Sequence, residues 1–472
     1  MAFLRPLRSF AANLPRHFVL PPLRTPTLRS PVLQALLIDY NGFFASCEQE
    51  DRPELRDRPV AVIPVASEHT SCIAASYDAK RAGVKVGTPV AEARRLCPGI
   101  ALVESRPERY LHYHQKLLEA VETCLPVTEV WSIDEVWCRL PPGLQTPAAA
   151  LDLARRIKLA IARLAGPHLT CSIGLAPNAW LAKIASDLEK PDGLVVIEQH
   201  DLPHRLHELA LRDLPGVGEN MERRLRAAGI LTVAQLCAAE LRDLRRVWGG
   251  IEGERMWRRL RGEEVPLPPR HTSSIGHAQI LSPDLRHPEG ARATLHRLLQ
   301  KAALRLRHAG LYAGGLHVAL KYQPARGRGS TSSSPVRWSD AVTFTDTQDT
   351  LELIRVLNLV WEKRPARRTD HFSVGVTLFA LVPAASHTDT LPGLLETRPG
   401  DTARRAALNA TLDHINKKLG KHSVVYGGAL GALAYAPIRI AFQRIPDLVL
   451  EEGEADGELF PNADELATAR RL

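Results

Sequence analysis

The spacing of apolar and polar positions changes several times along the chain, and each change marks an element. Leu36-Leu37-Ile38 is an apolar run that carries straight into Asp39-Tyr40-Asn41-Gly42. It predicts a buried strand, then a short helix from Ala45 to Glu50. Arg58–Pro64 reads as a second strand, and Ser71–Val84 as a strand giving way to a helix that Gly83 ends. Residues 108–124 read as helix. Val130–Trp137 reads as one buried strand, because it is rich in β-branched and aromatic residues. Ala148–Ala165 repeats its apolar positions with helical period and keeps Arg155, Arg156, Lys158 and Arg163 on the wet side. Strand Leu169–Ala176, helix Asn178–Leu188, turn Lys190-Pro191-Asp192-Gly193 and strand Leu194–Ile197 follow. This alternation predicts an α+β sheet domain with its helices on one face.

Beyond residue 199 the pattern becomes helical. Leu214-Pro215-Gly216-Val217-Gly218 lies between a helix end and a new helix, Asn220–Ala228. Two glycines there let backbone N–H groups approach a phosphate, in the manner of a helix-hairpin-helix clamp on DNA backbone; the alternative is an ordinary pair of helices. Trp248-Gly249-Gly250 marks a second, weaker hairpin. Gly262–Arg270 has the composition of a linker. The segments 272–281, 289–309, 313–323, 338–345, 348–363 and 371–381 then read as βαββαβ. Gln323–Ser334 forms a basic Gly/Ser-rich loop within them. Leu408–Leu419 reads as a further helix.

The acids change the picture. Asp39 sits in one apolar strand, and Asp134 and Glu135 sit 95 residues on in another. Side chains alternate along a strand, so Asp134 and Glu135 point to opposite faces unless the chain turns there. Burying them without cations is costly. If the two strands are neighbours, three carboxylates converge and can hold a pair of Mg²⁺ ions, the apparatus of in-line phosphoryl transfer. On these two motifs alone, strand-end acids that merely cap helices remain an equal alternative. Tyr77 and Lys80, three apart on one helical face, are placed to grip a polyphosphate, or to form an ordinary surface.

Composition adds bounds. A chain of 472 residues exceeds one core, and 45% hydrophobic with 24% charged residues is ordinary for a globular protein. The excess of 61 Lys+Arg over 52 Asp+Glu, with pI near 9.3, points to a polyanionic partner or to a solvated basic surface. Residues 271–380 concentrate it, with 15 Lys+Arg against 8 Asp+Glu. Seven cysteines without a C-x-x-C pair imply reduced thiols and a cytoplasmic location. No apolar run reaches transmembrane length. The first 35 residues hold five arginines and no acid, but six prolines spoil an amphipathic targeting helix, so a disordered basic extension is expected. Residues 447–466 hold eight acids and no base, and are expected to be a disordered tail.

Taken together, Asp39-Tyr40-Asn41-Gly42-Phe43-Phe44, Tyr77-Asp78-Ala79-Lys80, Trp131-Ser132-Ile133-Asp134-Glu135, Trp180–Asp187 and Lys190-Pro191-Asp192-Gly193 resemble the motifs of Y-family (UmuC/DinB-type) translesion DNA polymerases. Asp39–Glu48 and Trp131–Glu135 are closest to the UmuC branch, and Leu412–Asn416 with Gly420-Lys421 is similar to its C-terminal segment. The resemblance spans about residues 36–381. It implies a polymerase right hand: palm (36–48 and 105–198), small fingers (49–104), helix-hairpin-helix thumb (199–261), linker (262–270), βαββαβ little finger (271–383) and a UmuC-like segment (384–446). It also implies two Mg²⁺ ions on Asp39, Asp134, Glu135 and the Tyr40 carbonyl. Tyr77, Lys80 and Lys190 would hold the triphosphate, with Phe43 and Phe44 at the nucleotide and Phe44 as a steric gate against ribose. Gly216, Gly218 and Lys321 would bind DNA. The implied partners are primer-template DNA, deoxynucleoside triphosphates, the sliding clamp and an accessory subunit of the UmuD or recombinase type. Leu391–Leu395 and Asp456–Phe460 are degenerate clamp peptides. Ala74 and Ala179 depart from the family pattern, which often has threonine and lysine there. A silent scaffold relative is the rival reading, but such relatives usually lose the acids, and all three are present.

Overall fold

The computed structural model describes residues 33–68, 70–266, 272–322, 336–365, 370–387, 401–420 and 423–435. The chain forms two units, Met1–Pro266 and Leu267–Leu472, dividing inside the expected linker. Residues 1–32 of the basic extension, the 323–334 loop, both clamp-peptide candidates and the acidic tail lie outside the described residues.

The first unit opens with β1 (Ala35–Tyr40), every residue of which is buried, and α1 (Phe43–Asp51). A small sheet follows: β2 (Val60–Ile63), β3 (Ala74–Ala75), α2 (Tyr77–Arg81), α3 (Val90–Leu96) and β4 (Ala101–Glu104), in strand order β3-β2-β4. Ser76 caps α2 by accepting from the Ala79 N–H. The chain then returns through α4 (Pro107–Glu122), β5 (Glu129–Val130), β6 (Glu135–Arg139), α5 (Pro147–Leu164), β7 (Cys171–Ala176), α6 (Ala179–Leu188) and β8 (Leu194–Val196). These strands complete a five-stranded sheet in the order β5-β6-β1-β7-β8.

Two expectations are corrected here. Val130–Trp137 is not one strand but a hairpin: β5 and β6 pair, and the Trp131 and Ser132 N–H groups both donate to the Glu135 carbonyl. The helices also do not keep to one face. Ala35 and Leu37 pack with Leu181, Ala182 and Ala185 of α6, while Leu36, Ile38 and Tyr40 are buried on the opposite side. Strands whose every residue is apolar or buried need cover on both faces.

Helices α7 (Glu219–Ala227), α8 (Val233–Ala238), α9 (Leu241–Trp248) and α10 (Ile251–Arg259) complete the unit. The second hairpin is present at Gly249, where α9 ends in a left-handed turn before α10. Helix α6 anchors this helical part to the sheet. Its cap residue Asn178 donates to the carbonyls of Arg259 and Glu263, each at 3.0 Å, and Trp180 donates its indole N–H to the Pro215 carbonyl at 3.0 Å.

The second unit matches the βαββαβ expectation: β9 (Ser274–Ile280), α11 (Pro288–His308), β10 (Leu311–Tyr322), β11 (Val336–Thr347), α12 (Thr350–Glu362) and β12 (His371–Pro383). The strands run antiparallel in the order β11-β10-β12-β9 over a core of α11 and α12 side chains. Helix α13 (Asp401–Lys418) begins earlier than the expected 408 and belongs to this unit, its Asp413 gripped by both arms of Arg307 at 2.7 Å.

Candidate active site

Asp39 lies near the C-terminal end of β1, the middle strand of the sheet, with β6 on one flank and β7 on the other. In the β1–β6 register Asp39 lies directly opposite Glu135, so both side chains share the face covered by α6. The hairpin brings Asp134 to the same corner, where its N–H donates to the Ser132 hydroxyl oxygen at 3.3 Å and its carboxylate accepts from that hydroxyl at 2.5 Å. The Tyr40 N–H donates to the Asp134 carbonyl at 2.9 Å, tying the two segments together.

Two lysines neutralise this corner. Lys183 of α6 places its ammonium 2.6 Å from Asp39, 2.9 Å from Glu135 and 3.0 Å from Asp187. Lys190, from the turn after α6, lies 2.6 Å from Asp39 and 2.8 Å from Asp187. Burial lowers the proton affinity of both amines, but the charge of Asp39, with Glu135 and Asp187 for Lys183, more than reverses it. Burial likewise raises the carboxyl pKa values of Asp134 and Glu135. Among the described residues, no three His, Cys, Asp or Glu side chains close around one point as a metal cage. The three carboxylates expected to converge lie at one corner, with ammonium groups in contact with Asp39 and Glu135. The donor set itself, buried carboxylate oxygens at adjoining strand ends, suits a hard divalent cation.

The residues expected at the triphosphate gather beside this corner. The Lys80 ammonium lies 4.1 Å from the Tyr77 ring centre. Burial and the neighbouring charge of Lys190 lower the Lys80 pKa, so two cations crowd one another here. Asn41 is not a ligand in waiting but a clamp. Its side chain accepts from the Asp192 N–H at 2.7 Å and donates to Ser172 at 3.0 Å, fixing the turn that carries Lys190. An amide can donate and accept at once, which a carboxylate cannot do.

Phe43 and Phe44 are both buried, and Phe44 stacks on Tyr110 with ring centres 4.3 Å apart. Behind them, the fully buried Glu48 accepts from Tyr110 at 2.8 Å and from both arms of Arg106. Asp51 accepts from Arg106, Arg109 and Tyr113. Sequence reading missed this bracket, whose partners lie about 60 positions apart. It also missed Lys183, although a lone lysine among the apolar residues of α6 was a signal.

Gly216 and Gly218 precede α7 as expected. Lys321 is exposed on β10, paired across the sheet with Arg337 and Ser373.

Acids ringed by ammonium groups beside a lysine-tyrosine cradle suit an enzyme that moves phosphoryl groups. The profile of the impB/mucB/samB family matches residues 38–187, that of its C-terminal domain residues 272–391, and that of the DNA polymerase-iota thumb domain residues 212–264. DNA polymerase IV of Moorella thermoacetica is 32% identical over 413 residues, covering 84% of this chain and 98% of the relative. DNA polymerase IV of Yersinia pestis is 30% identical over 335 residues, covering 70% and 91%. The solved Y-family DNA polymerase chimera Dbh-Dpo4(243-245)-Dbh shares the fold, with a TM-score of 0.60 at 23% identity, over 74% of this chain and 99% of that one. The chain belongs to the Y family of DNA polymerases, and its activity is that of a DNA-directed DNA polymerase in translesion synthesis. These relatives are of the DNA polymerase IV kind and do not single out the UmuC branch expected from the 39–48 and 131–135 motifs.

The bracket behind Phe44 gives a pH prediction. Burial alone would raise the Asp51 carboxyl, but hydrogen bonds from Arg109 and Tyr113 and the charge of Arg106 hold it down at about 2, below the ordinary 3.8. A depressed folded pKa contributes stability that is present above about pH 4 and lost as pH falls towards 2. Asp51→Asn is expected to cost about 1–2 kcal/mol at neutral pH, allowing for solvent screening, and to flatten the acid limb of melting temperature against pH. Parallel acid limbs in the two proteins would refute the assignment.

Proposed function

We propose that the chain extends primers by nucleotidyl transfer at the Asp39–Glu135 corner, the first unit forming palm, fingers and thumb and the second a little finger. The observation that carries this is a corner of buried acids in direct contact with Lys183 and Lys190, with the Lys80 ammonium close by. Family membership implies dependence on a divalent metal; two Mg²⁺ ions held by Asp39, Asp134, Glu135 and the Tyr40 carbonyl would lower the pKa of the primer 3′-hydroxyl and offset charge on the leaving pyrophosphate. Tyr77, Lys80 and Lys190 bind the triphosphate by charge-assisted hydrogen bonds, with Asn41 holding the Lys190 turn in place. Asp134 is oriented for its task by Ser132. Phe44 lies under the incoming sugar, and its ring leaves no room for a 2′-hydroxyl. Small fingers press lightly on the nascent pair, which admits damaged template bases at low fidelity.

The duplex is held through its phosphates. Gly216 has φ +89, a left-handed conformation that favours glycine, whereas Gly218 has φ −84. A Cβ at Gly218 would meet no atom within 4 Å. Neither backbone nor packing requires glycine there, so close approach of a phosphate to the backbone is the remaining demand. In the second unit Lys321 and Arg337 offer side-chain charge to the same backbone. The sliding clamp and an accessory subunit of the UmuD or recombinase type are the further partners of this reading.

Primer extension with purified protein and Mg²⁺ is the direct test. Asp134→Ala is expected to abolish extension while leaving primer-template affinity nearly intact; retained extension would reject the site.

Gly218→Ala is expected to weaken primer-template binding severalfold with an unchanged melting temperature. Unaltered affinity would remove the hairpin from the DNA contact.

Phe44→Ala is expected to raise the ratio of ribonucleotide to deoxynucleotide insertion. If Phe44 serves only as core, truncation instead costs about 3–5 kcal/mol and depresses both substrates alike. Single-nucleotide insertion alongside a melting curve separates the two.

A further inference from the structure

Lys183 has a position that the proposed chemistry leaves without a task. Lys80 and Lys190 are assigned to the triphosphate, although Lys190 also touches Asp39 at 2.6 Å, whereas Lys183 reaches from α6 to bridge Asp39 and Glu135. An ammonium has three N–H donors, and three carboxylate oxygens lie within 3.0 Å of this one, on Asp39, Glu135 and Asp187. Asp39 and Glu135 are directly opposed on neighbouring antiparallel strands. Like charges so placed repel, and this pair is largely shielded from water, so a cation between them offsets the repulsion. The oxygens that Lys183 holds are the ones a divalent cation would need. Asp187 differs from the other two partners. It is one helical turn from Lys183 on the same helix, is more exposed, and lies outside the proposed ligand set.

We propose that Lys183 is the resident counter-cation of the Asp39–Glu135 pair, and that a divalent cation takes its place as Lys183 is kept by Asp187. The proposal rests on the metal-binding reading of Asp39, Asp134 and Glu135. Lys183 is then a positioning residue that sets how readily the corner accepts a divalent ion. Without an ion it offsets the repulsion between the two opposed carboxylates. With an ion present, its link to Asp187 holds the second positive charge at the rim. No covalent change is involved, only an exchange of ionic partners.

The test is Mn²⁺ binding to the full chain without DNA or nucleotide, read from the paramagnetic resonance signal of the free aquo ion, with a melting curve for each variant. Lys183→Met removes the competing charge and is expected to tighten Mn²⁺ binding at least about threefold while lowering the ion-free melting temperature. Asp187→Asn is expected to weaken binding, since Lys183 loses its second partner. In Lys183→Met/Asp187→Asn that weakening is expected to disappear; a mere long-range charge effect of Asp187 would persist. Lys183→Gln gives the same reading if the methionine variant does not fold. Mn²⁺ binding that needs Asp134 but is unchanged or weakened by the Lys183 variants overturns the counter-cation role alone. Absence of any Asp134-dependent binding in the parent chain overturns the metal reading and this proposal with it.

Discussion

The arrangement of the first unit depends on one electrostatic requirement, that of accommodating the Asp39 carboxylate where only 5% of the residue reaches water. A carboxylate in that position is tolerable only with cations in contact. Both come from one stretch of chain: Lys183 on α6 and Lys190 on the turn that follows it. The apolar side of α6 packs on β1 and β7, so the packing that stabilises the sheet also fixes where the ammonium groups arrive. Asn41 then reaches from the end of β1 to the Asp192 N–H and holds the turn in register with the strand. Hydrophobic burial and charge placement are thus the same event in this part of the fold.

Much of this framework was legible in the sequence, and what escaped follows from how contacts form. The strand at 35–40, the helix at 179–188 and the six elements of 274–383 appear within a few residues of their expected places, because their apolar spacing matches one period throughout. The hairpin at 131–134 escaped because its turn carries neither glycine nor proline. The turn is closed by backbone bonds to the Glu135 carbonyl and a local bond from the Asp134 N–H to the Ser132 hydroxyl, a device that composition does not announce. Its consequence is large, since the bend is what delivers Asp134 and Glu135 to the same corner. The acids themselves stood out as charges in apolar runs. Their lysine partner did not, because Asp39 and Lys183 are 144 positions apart and only the sheet brings them together. Arg106 and Glu48, 58 apart, escaped for the same reason.

On the proposed reading the chain would offer phosphate two kinds of partner, and their physics differs. Ahead of α7 the donors would be backbone N–H groups behind glycine, which carry partial charge and release few counterions on binding. On β10 and β11 the offer would be the side-chain charge of Lys321 and Arg337, paired across the strands, in a segment where basic residues outnumber acidic ones nearly two to one. Counterion release counts full charges, so the salt dependence of duplex binding would belong mainly to the second unit. The hairpin would contribute geometry: N–H groups fixed by a helix start can meet a phosphate at one spacing only, whereas lysine and arginine arms can follow a shifting backbone. An enzyme that must accept a distorted template would gain from that separation, with rigid amides setting register and long cationic arms supplying affinity without demanding a particular duplex shape.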